Sequence, residues 1–349
     1  MHRGNPEQTL DIDPILKDLR EQIKRPNFVK DLIKTKLLDN THRVTVTLQP
    51  DSDYAQKLRD KENQQLSKIR ETLSSSEIDN IINTAAALQE RQQQEDSPEI
   101  LPKVDLKDVP PDIDIPDSRT LPIEKFKSVF YPQGTNGITY RQIITTLPEL
   151  NSEELSLLTL QNRVITETGI GNESYLDTQI RQTQFCGGIS AYSSYRAARD
   201  NEQQTKGYFV LSSKGLNSHS KEIDQLLHDT YTQPRFDEQQ RIAELVSQSA
   251  NHAEQSITGN GHGLAMGIAC QRMSPIANLN FRTSGMSGIR AIKNLDKSLV
   301  ENSARETLSE SLSSLHSKLL KSPMQLLAIG EDSQAELITQ DIPSIWSTN

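Results

Sequence analysis

Apolar residues recur at helical spacing through the first quarter of the chain and give way to mixed patterns after a proline-rich stretch. Residues 13–24 and 27–38 carry that spacing and predict two helices. The segment "HRVTVTLQ" alternates Val44, Val46 and Leu48 with Thr45 and Thr47, which predicts a strand. No second strand pattern follows for some distance, and a lone strand leaves backbone donors and acceptors unpaired. Its partners are therefore expected elsewhere, in a later domain or in sequence beyond this chain, so that the chain reads as cut.

Residues 52–94 carry two further stripes. Tyr54, Leu58, Leu66, Ile69 and Leu73 form the first, and Ile78, Ile81, Ile82, Ala85 and Leu88 the second. "SSSE" separates them, with Ser74 and Glu77 at capping-box spacing. A short connection and matching stripes predict a long antiparallel helical hairpin with arms on the order of 30 Å. Pro98, Pro102, Pro110, Pro111, Pro116 and Pro122 then favour an extended linker.

From about residue 125 the pattern becomes globular. An Asn136-Gly137 turn precedes a strand in "TNGITYRQIITTL". Asn151 with Glu154 caps a helix whose Leu155, Leu158 and Ile165 share a face, and Gly169 stops it. A helix over 174–184 leads into "CGGISAYSSY", which pairs with "GYFVLSSK". Helices are expected near 218–232, 237–257, 263–278 and 295–320, then a strand in "MQLLAIG". Helices and paired strands without strict alternation predict an α+β class, with an antiparallel or mixed sheet and helices packed on it.

Composition narrows the function classes. Apolar residues make up 34% of the 349 positions and aromatics 5%, with mean hydropathy −0.61. That is thin for one globule and fits a globular part plus long solvated helices. A net charge of −9 argues against nucleic acid or an anionic membrane as partner. No apolar run approaches the roughly 20 residues of a membrane span, and "MHRGNPEQTL" does not read as a signal peptide. Cys186 and Cys270 match no redox or metal spacing, which points to a reducing compartment.

The candidate chemistry is slight. "HSKEI", from His219, is one residue short of the inverted zinc signature His-x-x-Glu-His. Ile223 stands where the second ligand belongs and is needed by the apolar stripe of Leu226, Leu227 and Tyr231. His228 falls on the opposite helix face, so a helix start explains the motif better than zinc. "TGNGHGLAMG" lacks the Lys-Ser/Thr of a phosphate loop and follows no strand, so a tight interhelical turn is expected there, with His262 as a turn or core residue. Ser190, Ser193 and Ser194 lie in no nucleophile elbow, and neither cysteine has a nucleophile signature. No catalytic, cofactor-binding or metal-binding residue is therefore assigned.

The segments "HRVTVTLQPD", "PEILPKVDLKDVP", "TNGITY", "QIRQTQFCGGISAY" and "GNGHGLA", in this order, resemble the presequence-protease branch of the pitrilysin/insulinase superfamily. The resemblance covers nearly the whole chain. It implies four similar α+β domains in two halves, joined by a helical hairpin and closing around a peptide. Residues 1–50 then correspond to the tail of an upstream domain, 51–95 to the hairpin, 96–122 to a linker, and 123–346 to a non-catalytic α+β domain. The zinc motif of such a fold occupies the helix at 151–168, where this chain offers Leu155, Leu158, Leu160 and Val164 and no histidine.

The expected function is thus a substrate-enclosing, non-catalytic portion of a zinc metalloendopeptidase acting on short unstructured peptides, inactive alone. Zinc is expected in the complementary N-terminal half, which would be the partner beside the peptides. The compartment implied is a bacterial cytoplasm or an organelle lumen. A stand-alone peptide-binding module is the alternative, and a free-standing enzyme of other chemistry a third.

Overall fold

The computed structural model describes residues 11–123 and 125–346, so the polar start of the chain lies outside the described residues. Two units make up the chain, Met1–Val109 and Pro110–Asn349.

The first unit is helical. Helix α1 (Ile12–Ile23) is followed by α2 (Phe28–Ile33), which runs on as a wider π turn through Leu38. Helices α3 (Tyr54–Thr72) and α4 (Ser75–Gln93) lie where the two stripes place them. Ser74 and Glu77 cap α4 reciprocally, the Ser74 amide donating to Glu77 Oε2 at 2.8 Å.

Two expectations are corrected in this unit. The arms α3 and α4 do not pack along each other, and Leu58, Leu66, Ile69, Ile81, Ile82 and Leu88 are all exposed. Arms this polar carry narrow stripes, and helix pairs owe their stability to the apolar face they bury. The segment "HRVTVTLQ" forms no strand, and Val44, Val46 and Leu48 are 84%, 73% and 91% exposed. Alternation specifies which face a strand would bury, but a strand exists only where a second one accepts its hydrogen bonds.

The second unit holds a six-stranded mixed sheet: β1 (Arg119–Thr120), β2 (Lys127–Pro132), β3 (Ile138–Thr146), β4 (Ile189–Ala197), β5 (Thr205–Leu216) and β6 (Met324–Gly330). The spatial order is β1-β2-β6-β3-β5-β4. Only β2 and β6 run parallel; the other neighbours are antiparallel. Asn136 and Gly137 both take positive φ, 52° and 79°, in the turn that launches β3. Strand β1 lies inside the stretch expected to be linker, and the apolar run of β2, Val129, Phe130 and Tyr131, is too short to set a strand period.

Helices α5 (Ser152–Glu167) and α6 (Tyr175–Phe185) separate β3 from β4. After β5 come α7 (Ser220–Thr232), α8 (Gln239–Gly259), α9 (Gly261–Cys270), α10 (Pro275–Thr283), α11 (Met286–Ser298) and α12 (Asn302–Leu320). Short helices α13 (Ala335–Thr339) and α14 (Ile342–Trp346) follow β6. The expected helix over 263–278 is two helices broken before Pro275, because proline opens a helix readily and cannot continue one. Likewise the helix expected at 295–320 is the end of α11 and all of α12.

One core lies between the sheet and α7, α12, α13 and α14, with Ile143, Phe209, Leu211, Ile223, Leu227 and Leu326 at its centre. A second joins α5, α8 and α12 through Val164, Ile242, Leu245, Val246 and Leu312. The α+β class expected from the sequence is the class observed.

Candidate functional site

The two faces of the sheet differ. On one face β3 turns Thr139, Arg141, Ile143 and Thr145 inward, all fully buried under the helices. Thr145 Oγ1 meets the Tyr231 hydroxyl of α7 at 3.0 Å. The pleat sends alternate residues the other way. Register then sets Tyr140, Gln142 and Ile144 of β3 beside Lys214, Ser212 and Val210 of β5, and Tyr192 of β4 beside Val210. On the far side Tyr131 of β2 and Tyr140 of β3 flank Ile329 of β6. Tyr131, Tyr140 and Tyr208 are half-buried there, and Tyr192 is 47% exposed. This face therefore offers aromatic rings, amides and hydroxyls in rows about 5 Å apart. Such a surface can hold an extended chain by stacking and hydrogen bonding. Among the described residues its strands place no histidine or carboxylate on this face.

The serines singled out in the sequence divide between the faces. Ser190 and Ser194 lie on the open face, and the Ser190 hydroxyl is 2.9 Å from that of Ser212. Ser193 turns toward α5, where its Oγ sits 3.1 Å from the Asn162 side chain. Burial pushes the neighbouring Tyr195 phenol up to about 12, and among the described residues its hydroxyl has no hydrogen-bond partner.

Helix α5 is the first helix of this unit. Asn151 accepts from the amides of Glu153 and Glu154 at 2.9 and 3.0 Å, and the Asn151 amide donates to Glu154 Oε2 at 3.0 Å, a complete capping box. The Lys318 ammonium, 2.6 Å away, holds the Glu154 carboxyl below its usual range. Leu158, Leu160, Val164 and Ile165 are buried along the helix. Gly169, just beyond it, gives its amide to Glu238 at 2.7 Å. Leu158, Leu160, Val164 and Ile165 cannot ligate a metal and no histidine stands on this helix, so it does not fit the zinc that the resemblance puts at its position. Among the described residues no group of three or more His, Cys, Asp or Glu is gathered to hold a metal.

"HSKEI" is a helix start. His219 precedes α7 and meets Phe185 edge to face at 5.6 Å, while Ile223 is fully buried in the main core. His228 is buried against Trp346, with ring centroids 5.1 Å apart, and its Nδ1 is 3.4 Å from Asp229. His262 departs from expectation: it is exposed near the start of α9, neither in the connection between the helices nor in the core. Asn260 alone separates the end of α8 from the start of α9. Cys186 and Cys270 are both free and half-buried.

Sequence inspection missed the tyrosine face and the buried pair Arg141–Asp224. A signal for the pair exists: Arg141 shares its parity in β3 with Ile143, and a charge on an apolar face requires a partner.

The comparisons give this geometry a family. The model of the family described as peptidase M16 (subfamily C) associated matches residues 48–295. "Presequence protease, mitochondrial" of Danio rerio is 26% identical over 84% of this chain and 29% of its own length. "Presequence protease 1, chloroplastic/mitochondrial" of Arabidopsis thaliana is 25% identical over 83% of this chain and 27% of its own. The chain thus spans under a third of these relatives. Among solved structures, a peptidase M16 inactive domain from Pseudomonas fluorescens aligns at TM-score 0.41 and 15% identity, covering 66% of this chain and 50% of that one. The chain belongs to this family associated with subfamily C of the M16 peptidases, and most of its length is similar to part of the presequence proteases.

Proposed function

We propose that this chain encloses substrate for a presequence-protease-like zinc metalloendopeptidase that degrades short unstructured peptides. The family match over residues 48–295 carries the proposal. The open sheet face of Tyr131, Tyr140, Tyr192 and Tyr208 supports it, as a wall against which an extended peptide can lie. Enclosure assists cleavage by fixing the peptide near the reacting water and excluding bulk solvent. Zinc belongs, on this proposal, to a complementary N-terminal half, which is the partner of this chain in cis or in trans.

Four segments take distinct parts. Residues 1–50 complete an upstream domain, 51–95 form the hairpin between halves, 96–122 are linker, and 123–346 are the non-catalytic wall. In that assembly "HRVTVTLQ" acquires the strand partner it lacks here, and the hairpin stripes acquire a surface to cover them. The relatives are mitochondrial or chloroplastic by name, and no described helix is long and apolar enough to cross a membrane. An organelle lumen or a bacterial cytoplasm is the compartment proposed.

The test is reconstitution. A zinc-bearing N-terminal half and this chain are assayed on a fluorogenic peptide separately, mixed, and mixed with the Val46→Pro form. Activity should appear only in the mixture. It should weaken with Val46→Pro, which removes a backbone donor from the middle of the strand. Full activity of the zinc-bearing half alone, or a silent mixture of folded chains, would favour a peptide-binding module without catalysis.

A further inference from the structure

The helical layer of the second unit contains a cleft of about 870 Å³ between α5, α8, α9, α10 and α11. Its volume is that of a ligand site. Leu160, Leu264 and Ile289 are buried in it, and Leu157, Ile292 and Leu295 are half-buried along it. Two arginines line it in different states. Arg163 is engaged, donating to Ser249 Oγ at 2.7 Å and Gln248 Oε1 at 2.6 Å and lying 3.7 Å from Glu167. Arg282 is half-buried and gives one Nη2 contact, at 3.3 Å, to the Ser152 carbonyl. Among the described residues it has no carboxylate partner. The one acidic side chain on the lining, Glu153, is exposed and forms no ion pair with it.

A half-buried guanidinium beside apolar walls calls for an anion with an apolar body, because removing the charge from water is offset only by pairing. Ser156 and Ser256 already donate to the carbonyls of Ser152 and Ala253, but the hydroxyls of Thr159 and Ser287 bond nothing among the described residues and interrupt the apolar lining. A hydrocarbon chain would desolvate them without hydrogen bonds, whereas a peptide backbone supplies both donors and acceptors. We infer that the cleft binds the C-terminal end of a peptide, with its carboxylate on Arg282 and one or two apolar side chains against Leu157, Leu160 and Ile292. The choice of a peptide rests on the function proposed above and names a feature that proposal lacks, a preference for a free carboxylate after apolar residues. Such an end is what peptide hydrolysis creates, so the cleft would retain products or trimmed substrates.

The experiment is direct binding to this chain alone, by fluorescence anisotropy of a dansyl pentapeptide ending in Leu-Leu. The free acid should bind, and the C-terminal amide should bind at least about tenfold more weakly, the effect of losing one hydrogen bond to a charged group. Arg282→Gln should erase that difference. Ser256→Trp, at an exposed position on the lining, should weaken the acid form while circular dichroism stays unchanged. Equal binding of acid and amide, persistence of the preference in Arg282→Gln, or no binding at millimolar peptide would overturn the inference. So would displacement of the peptide by dodecanoate at lower concentration, which would mark a lipid-type site. Because no cleavage is measured, binding here with a silent reconstitution separates this inference from the function it rests on.

Discussion

Arg141 of β3 and Asp224 of α7 form a fully buried bidentate pair, Nε to Oδ1 at 2.8 Å and Nη2 to Oδ2 at 3.2 Å, with side chains 0% and 1% exposed. The guanidinium also donates to Thr139 Oγ1 and to the Tyr140 and Ile338 carbonyls, so it ties sheet, α7 and α13 together. Burial pushes the Asp224 carboxyl up, and the Arg141 charge opposes that shift. Removing one partner strands the other, so Asp224→Ala should cost about 3–5 kcal/mol. Urea unfolding measures it, and the double change Arg141→Met with Asp224→Leu should recover most of the loss. A single variant as stable as the parent would show that the pair does not hold these elements.

His316 of α12 predicts an acid sensitivity. Its Nε2 lies 2.8 Å from the Tyr231 carbonyl, which assigns the proton to Nε2, while Nδ1 is buried and has no partner among the described residues. Burial pushes the imidazole down to about 4. Folding thus favours the neutral ring, and the unfolded chain takes up a proton first as pH falls. The stabilisation is complete above about pH 6.5 and is lost as pH falls toward 4, a change on the order of 3 kcal/mol. His316→Leu should flatten that part of a stability-against-pH curve, measured by urea midpoints from pH 7 to pH 4.

Gly169 predicts a steric limit at the end of α5. A Cβ there would stand 2.2 Å from the Glu173 carbonyl oxygen, a backbone atom that cannot move aside cheaply. Gly169→Ala should cost on the order of 2 kcal/mol or more. Gly259→Ala, where nothing lies within 4 Å, should be neutral or slightly stabilising. Equal melting temperatures for the two variants would remove the steric explanation.

Ile81 in α4 is 53% exposed. Ile81→Asp should therefore change the stability of this chain by less than about 0.5 kcal/mol. The same substitution should reduce peptide cleavage in the reconstituted assembly, where the stripe acquires a surface. A large loss of stability in the isolated chain would show that α4 already buries Ile81.

What the sequence determined by itself is what neighbouring residues decide among themselves. Asn151 and Glu154 cap α5 because four consecutive residues contain both partners of the box. Ile223, Leu226, Leu227 and Tyr231 are buried together because helical periodicity sets them on one side of α7. The same stripe gave Ile223 to the core and ruled out a second metal ligand at that position. The tertiary structure decided whatever depends on distant partners. Arg141 and Asp224 lie 83 residues apart, and nothing local to either specifies the other. The tyrosine face exists only once β2, β6, β3, β5 and β4 take their spatial order and register. Val44, Val46 and Leu48 show the opposite case, a strand pattern left as exposed chain. A helix satisfies its backbone hydrogen bonds within itself, whereas a strand must find them on another segment.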